Sequence, residues 1–159
     1  MSDTHSAGVT TGVPDVAHAR VDVLECIVVT PEATVFEHAA QFVVLPLFDG
    51  EIGIAPGHTP VIGRLGFGEL RMVEAGVTTR LYIDGGFAQV LGNVVTVLTP
   101  RAVMSDKLDV AVIEEQLQSA QAKPAHSPER LALRDRAVSQ ARAQLRAARR
   151  AHGKQPAAH

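Results

Sequence analysis

The chain has 159 residues, 46% hydrophobic but only 4% aromatic, with one cysteine, no tryptophan and a formal net charge of −2. That length suits one medium domain or a small domain with an appendage. A single cysteine excludes an internal disulfide and any zinc site built on cysteines, and the shortage of aromatics argues against deep sugar- or base-stacking platforms.

Residues 1–20 are rich in Ser, Thr, Gly, Ala and His and show no periodicity, which predicts a disordered lead. They lack the basic start and apolar run of a secretory signal. No apolar stretch of the chain is long enough to span a bilayer, so a soluble, cytoplasmic protein is expected.

Residues 21–103 read as strand after strand. Leu24, Cys26 and Val28 alternate with Glu25, Ile27 and Val29; Leu70 and Met72 alternate with Glu69 and Arg71; Leu81 and Ile83 alternate with Arg80, Tyr82 and Asp84. Val95 and Val97 are flanked by Val94, Thr96 and Leu98, which predicts a strand covered on both faces. Turn signals recur at Pro31, Asp49-Gly50, Pro56-Gly57, Ala75-Gly76, Asp84-Gly85-Gly86 and Gly92-Asn93, the last suited to a tight hairpin. Many short strands without helical pattern between them predict an antiparallel β sandwich or barrel.

After Arg101 the period changes. Ser105 or Asp106 suits a helix N-cap, and Val110, Ile113, Leu117 and Ala120 form one apolar stripe. Residues 123–126 break the pattern. Ser127-Pro128-Glu129 then supplies an N-cap, a proline at the first helical position and an acid in the first turn. Leu131, Val138, Ala141, Leu145 and Ala148 mark the second seam. Residues 104–152 are thus expected to form a two-helix hairpin, with a disordered tail over 153–159. Residues 129–154 hold eight basic and two acidic groups, a net +6 against −2 for the whole chain, which leaves −8 elsewhere. This asymmetry points to a basic arm seeking an acidic partner.

Few residues suggest chemistry. His58, beside the Pro56-Gly57 turn, has no evident nucleophile or acid partner and reads as structural or interfacial. Gly66-Phe67-Gly68 and Gly85-Gly86-Phe87 complete no phosphate-binding fingerprint and lead into no helix, so they read as bulge or corner glycines. Cys26 reads as a buried, inert thiol. Glu114 and Glu115 diverge around a helix and form no carboxylate pair. Arg142, Arg146 and Arg149 share one helix face, either solvated or docking an acidic surface. Two readings follow: a subunit of a larger assembly, or the alternative of a stand-alone β-sandwich binding module with a basic helical tail. No catalytic residue, cofactor or metal site is expected.

The run Gly50-Glu51-Ile52-Gly53-Ile54, then Pro56-Gly57-His58-Thr59-Pro60, Gly68-Glu69-Leu70-Arg71, Gly85-Gly86-Phe87, Asn93 to Leu98 and Leu108-Asp109, resembles the epsilon subunits of bacterial F-type ATP synthases (delta in mitochondria). The resemblance covers residues 21–117. It implies a sandwich of about ten strands followed by a helical hairpin, and a non-catalytic rotor subunit coupling c-ring rotation to ATP synthesis. Implied partners are the gamma subunit, the c-ring and the alpha and beta catalytic subunits, at the cytoplasmic face of the cell membrane and without insertion or nucleic acid. By the same resemblance Glu51, Ile52, Gly53 and His58 would meet the c-ring. Arg142, Arg146 and Arg149 would meet an acidic segment of the beta subunit when the hairpin extends and inhibits ATP hydrolysis. Members that bind ATP at the hairpin carry Ile/Leu-Asp-x-x-Arg-Ala. Here Asp109 is present but Val112 stands in place of the arginine, which implies weak or absent ATP binding.

Overall fold

A computed structural model describes residues 22–153; the lead over 1–20 and nearly all of the 153–159 tail lie outside the described residues. Eight strands come first: β1 (Leu24–Val29), β2 (Thr34–Ala40), β3 (Phe42–Leu47), β4 (Gly50–Ile54), β5 (Val61–Glu74), β6 (Val77–Leu91), β7 (Val94–Leu98) and β8 (Ala102–Met104). A 3-10 turn at Ser105–Lys107 leads to α1 (Val110–Ala122) and α2 (Pro128–Ala151).

The strand order is β2-β1-β7-β6-β5-β3-β4, with β8 also paired to β6. β5 and β6 form one long hairpin from Val61↔Val90 to Glu74↔Val77. Its two halves have different neighbours. The Phe87–Leu91 half of β6 carries β7, whereas Leu81–Ile83 carries β8. The hairpin thus runs through both layers, so eight long-and-short strands do the work of about ten. Pairing lapses between Leu65↔Gly86 and Phe67↔Asp84, where Gly66 and Gly85 sit. Gly86 has φ +102°, and a Cβ there would collide with the Leu98 carbonyl oxygen. The glycine pairs are therefore corner residues, as their sequence context predicts.

Inward residues of both layers share one core: Leu24, Cys26 and Val28 of β1 and Val95 and Val97 of β7 meet Leu45, Leu70, Met72, Leu81 and Ile83 of the other half. The period-two alternations place Leu24, Cys26, Val28, Leu70, Met72, Leu81 and Ile83 correctly; Leu45 belongs to no alternation seen in the sequence. Gly92 and Asn93 take φ +56° and +62°, the paired left-handed conformation of a two-residue hairpin turn.

Three strand expectations are corrected. β1 pairs β7 in parallel, from Glu25↔Val94 to Val29↔Leu98, so the sandwich is not wholly antiparallel. β7 is covered on one face only: Val95 and Val97 are buried, but Leu98 is 53% exposed because no described element lies over it. Tyr82, on the alternation's outward face, is fully buried because the helical pair covers it.

The hairpin is docked on the sheet. Ile113 of α1 and Ala141, Leu145 and Ala148 of α2 form its own seam, and Ala143 and Ala147 join Tyr82, Leu108, Phe67 and Val103 in a second core. α2 therefore buries two faces, one toward α1 and one toward the sheet; the predicted seam had only the first. Leu131 lies exposed at the start of the helix rather than in the seam. Ser127 caps α2 by accepting from the Arg130 N–H at 3.2 Å, with Pro128 at the first position. The cap of α1 differs from expectation. Ser105 is buried and its hydroxyl donates to Glu69, so the 105–107 turn precedes the helix, and Asp109 is the cap.

Candidate functional site

β4 and the turn after it hold the first group of residues. Glu51 receives both ends of the Arg71 guanidinium, at 3.3 and 2.9 Å. Ile52 is half-buried against the sandwich core. Gly53 lies under Phe42, whose ring would stand 2.6 Å from any Cβ added there. His58 closes a turn by donating its N–H to the Ala55 carbonyl at 3.1 Å, with Gly57 at φ +81° as a type II turn requires. The Gly57 N–H also donates to Asn93 Oδ1 at 2.7 Å, which ties this turn to the β6–β7 turn. Glu51, opposite Pro46, sits near the β3–β4 turn, while His58 lies beyond the other end of the strand. The four residues therefore line one strand and its exit rather than converging on a point.

The hairpin holds the second group. Asp109 Oδ1 accepts from the Ala111 and Val112 N–H groups at 3.0 and 3.3 Å, so this carboxylate is engaged in capping the start of α1. It borders a cleft of about 920 Å³ lined also by Lys107, Glu114, Arg146, Arg149 and His152. Val112, nearly half exposed, lines a different groove with Gln140 and Gln144. Arg142, Arg146 and Arg149 are all exposed, as their spacing implies. Arg149 is bonded to Glu114 at 3.2 Å across the helical pair. Arg150 turns the other way, 3.7 Å from Glu69 of β5.

The junction between α2 and the sheet was not foreseen. Asp84 accepts from the Tyr82 hydroxyl at 2.7 Å and from Gln140 Nε2 at 2.7 and 2.6 Å. Glu69 is buried, whereas Asp84 is only partly so; Glu69 accepts from Arg80 at 2.7 Å and from the Ser105 hydroxyl at 3.2 Å. Burial, then the hydrogen bond to and charge of Asp84, push the Tyr82 phenol well above its ordinary range. Glu69 stands directly opposite Tyr82 on the outward face of the β5–β6 hairpin, which the helical pair covers.

A third surface is the open face of the other layer. Arg64↔Phe87, Phe87↔Leu98 and Val29↔Leu98 make one continuous cross-strand row. In it Phe87 is 58% exposed, and in the next row Ile62 is 76% exposed. Phe48, from the β3–β4 turn, extends the patch under the Arg64 guanidinium, 5.6 Å from the ring centre. Clustered exposed apolar side chains of this kind mark a contact surface. Among the described residues no group of His, Cys, Asp or Glu is arranged to hold a metal. No helix among them is long and apolar enough to cross a membrane.

A β sandwich with a docked helical hairpin, an open apolar face and an exposed arginine row defines a class of assembly subunit. Residues 23–105 match the family described as ATP synthase, Delta/Epsilon chain, beta-sandwich domain. The ATP synthase epsilon chain of Rhodopirellula baltica is 48% identical over 126 residues, 79% of this chain and 98% of that one. That of Carboxydothermus hydrogenoformans is 40% identical over 99 residues, 62% of this chain and 74% of that one. The chain belongs to the ATP synthase delta/epsilon family. Its fold is shared with a chain of the Euglena gracilis mitochondrial ATP synthase (TM-score 0.72, 20% identity, 93% of this chain and 90% of that one). A chain of the Tetrahymena thermophila central stalk/c-ring structure is also similar (TM-score 0.62, 12% identity, 79% of this chain and 96% of that one).

Proposed function

We propose that this chain is a non-catalytic central-stalk subunit of an F-type ATP synthase, peripheral at the cytoplasmic face of the cell membrane, that couples c-ring rotation to ATP synthesis. The observation that carries this reading is the 48% identity to an epsilon chain along 98% of that chain's length. The working division is a sandwich over 21–103 and a regulatory hairpin over 104–152.

The open face that carries Phe87 and Leu98 and, one row on, Ile62 is the surface offered to the gamma subunit, because these large apolar side chains stand exposed together and are fixed by sheet pairing. Glu51, Ile52, Gly53 and His58 face the polar loops of the c-ring. Arg142, Arg146 and Arg149 meet an acidic segment of the beta subunit once the hairpin leaves the sheet. That exchange breaks the Arg149–Glu114 pair and is driven by stronger contacts in the extended state. ATP binds the isolated subunit weakly or not at all.

The test is removal of residues 106–159 from the assembled complex. The truncated subunit is expected to copurify with gamma and the c-ring, and ATP hydrolysis by the complex to rise. Unchanged hydrolysis would remove the inhibitory role; failure of the full chain to copurify with gamma would remove the stalk assignment.

A further inference from the structure

We propose that Asp84 and Gln140 form a polar latch that sets how often the hairpin lifts from the sandwich. Toward the sheet α2 presents small apolar side chains, Ala143 and Ala147 beside Tyr82, and sets Arg136 over the Phe67 ring at 5.3 Å. The side-chain hydrogen bonds from α2 to the strands converge on Asp84. Both Asp84 oxygens accept from one amide nitrogen of Gln140, and one of them also accepts from Tyr82. A second carboxylate, Glu69, lies 3.7 Å from Arg150, nearly three helical turns further along α2.

Each of these carboxylates keeps a partner within the sheet when the hairpin leaves: Tyr82 for Asp84 and Arg80 for Glu69. Lifting the helix therefore exposes them to water without stranding a buried charge. Hydrogen bonds that water can replace contribute little net free energy, so breaking them to lift the helix costs little. Release uncovers Tyr82 while leaving the sandwich core closed.

The inference deepens the regulatory reading of the hairpin, yet it is measured on the isolated full-length chain, so it fails or succeeds independently of assembly with gamma. The chain has one tyrosine and one cysteine. Tyr82 is covered by α2, and Cys26 is sealed in the sandwich core. Acetylation of Tyr82 by N-acetylimidazole, followed by mass spectrometry, reports hairpin release; a thiol reagent at Cys26 reports opening of the sandwich.

Gln140→Glu sets a carboxylate against Asp84 and is expected to raise the Tyr82 modification rate by about tenfold or more, with Cys26 still protected. Combining it with Asp84→Asn restores a donor–acceptor pair and is expected to bring the rate back below that of Gln140→Glu, even though loss of the Asp84 charge makes the phenol itself easier to ionise and modify. Three results would overturn the latch: an unchanged Tyr82 rate in Gln140→Glu, a double variant as reactive as the single one, or Cys26 becoming reactive in step with Tyr82.

Discussion

Asp109 shows how a residue's local geometry limits its role. One of its oxygens accepts two N–H groups of α1, so its first task is to satisfy donors that the helix start leaves without partners. Asp109→Ala is expected to lower stability by about 1 kcal/mol, the usual cost of a lost cap, measurable as a fall in the denaturant midpoint. Calorimetry with ATP is expected to show no micromolar binding to the parent chain, and such binding would reverse the reading of Val112. Cys26 illustrates burial acting alone: exclusion from water pushes its thiol from 9.0 up to about 12. A group held neutral in the fold contributes its full stability below the unfolded value and loses it as pH rises through the folded one. Stability is therefore expected to fall from about pH 9 to about pH 12 by roughly 1.4 kcal/mol per pH unit from this thiol, with Tyr82 adding a loss in the same direction. Urea midpoints across that range check it, and a Cys26→Ala variant should show the shallower slope.

At the scale of elements, alternation and the Ser127 cap of α2 were legible, whereas the cap of α1 and the coverage of each face were not. The period of two in β1, β5 and β6 names the buried side chains because each strand has one face on the shared core. It cannot say what lies over the other face. For β6 the answer changes along a single strand, since Tyr82 is covered by α2 while Phe87 is open. β7 looked two-sided because Val94 and Leu98 make its second face apolar too, yet only the Val95 and Val97 face is covered. That leftover apolar row makes the docking proposal testable. Phe87→Ser with Leu98→Lys removes exposed side chains and is expected to change stability by under about 1 kcal/mol. It is expected to weaken capture of gamma by tenfold or more, as loss of a central apolar anchor does. Pull-down at matched concentrations checks this, and unchanged capture would place gamma elsewhere.

For the whole molecule, the two-part plan could be read from the change of period after Arg101, and the family from ordered motifs between Gly50 and Asp109. The join between the parts could not. It depends on Asp84 meeting Gln140 and Glu69 meeting Arg150, pairs distant in sequence that no local pattern links. The parallel β1–β7 pairing has the same long-range character and a practical consequence. A polypeptide emerging from the ribosome presents Leu24–Val29 early but receives its second neighbour only when Val94–Leu98 follows. Until then that edge stands open to any stray strand. Anyone expressing the body by itself must carry the gene past Leu98, because every shorter product leaves its first strand half-zipped.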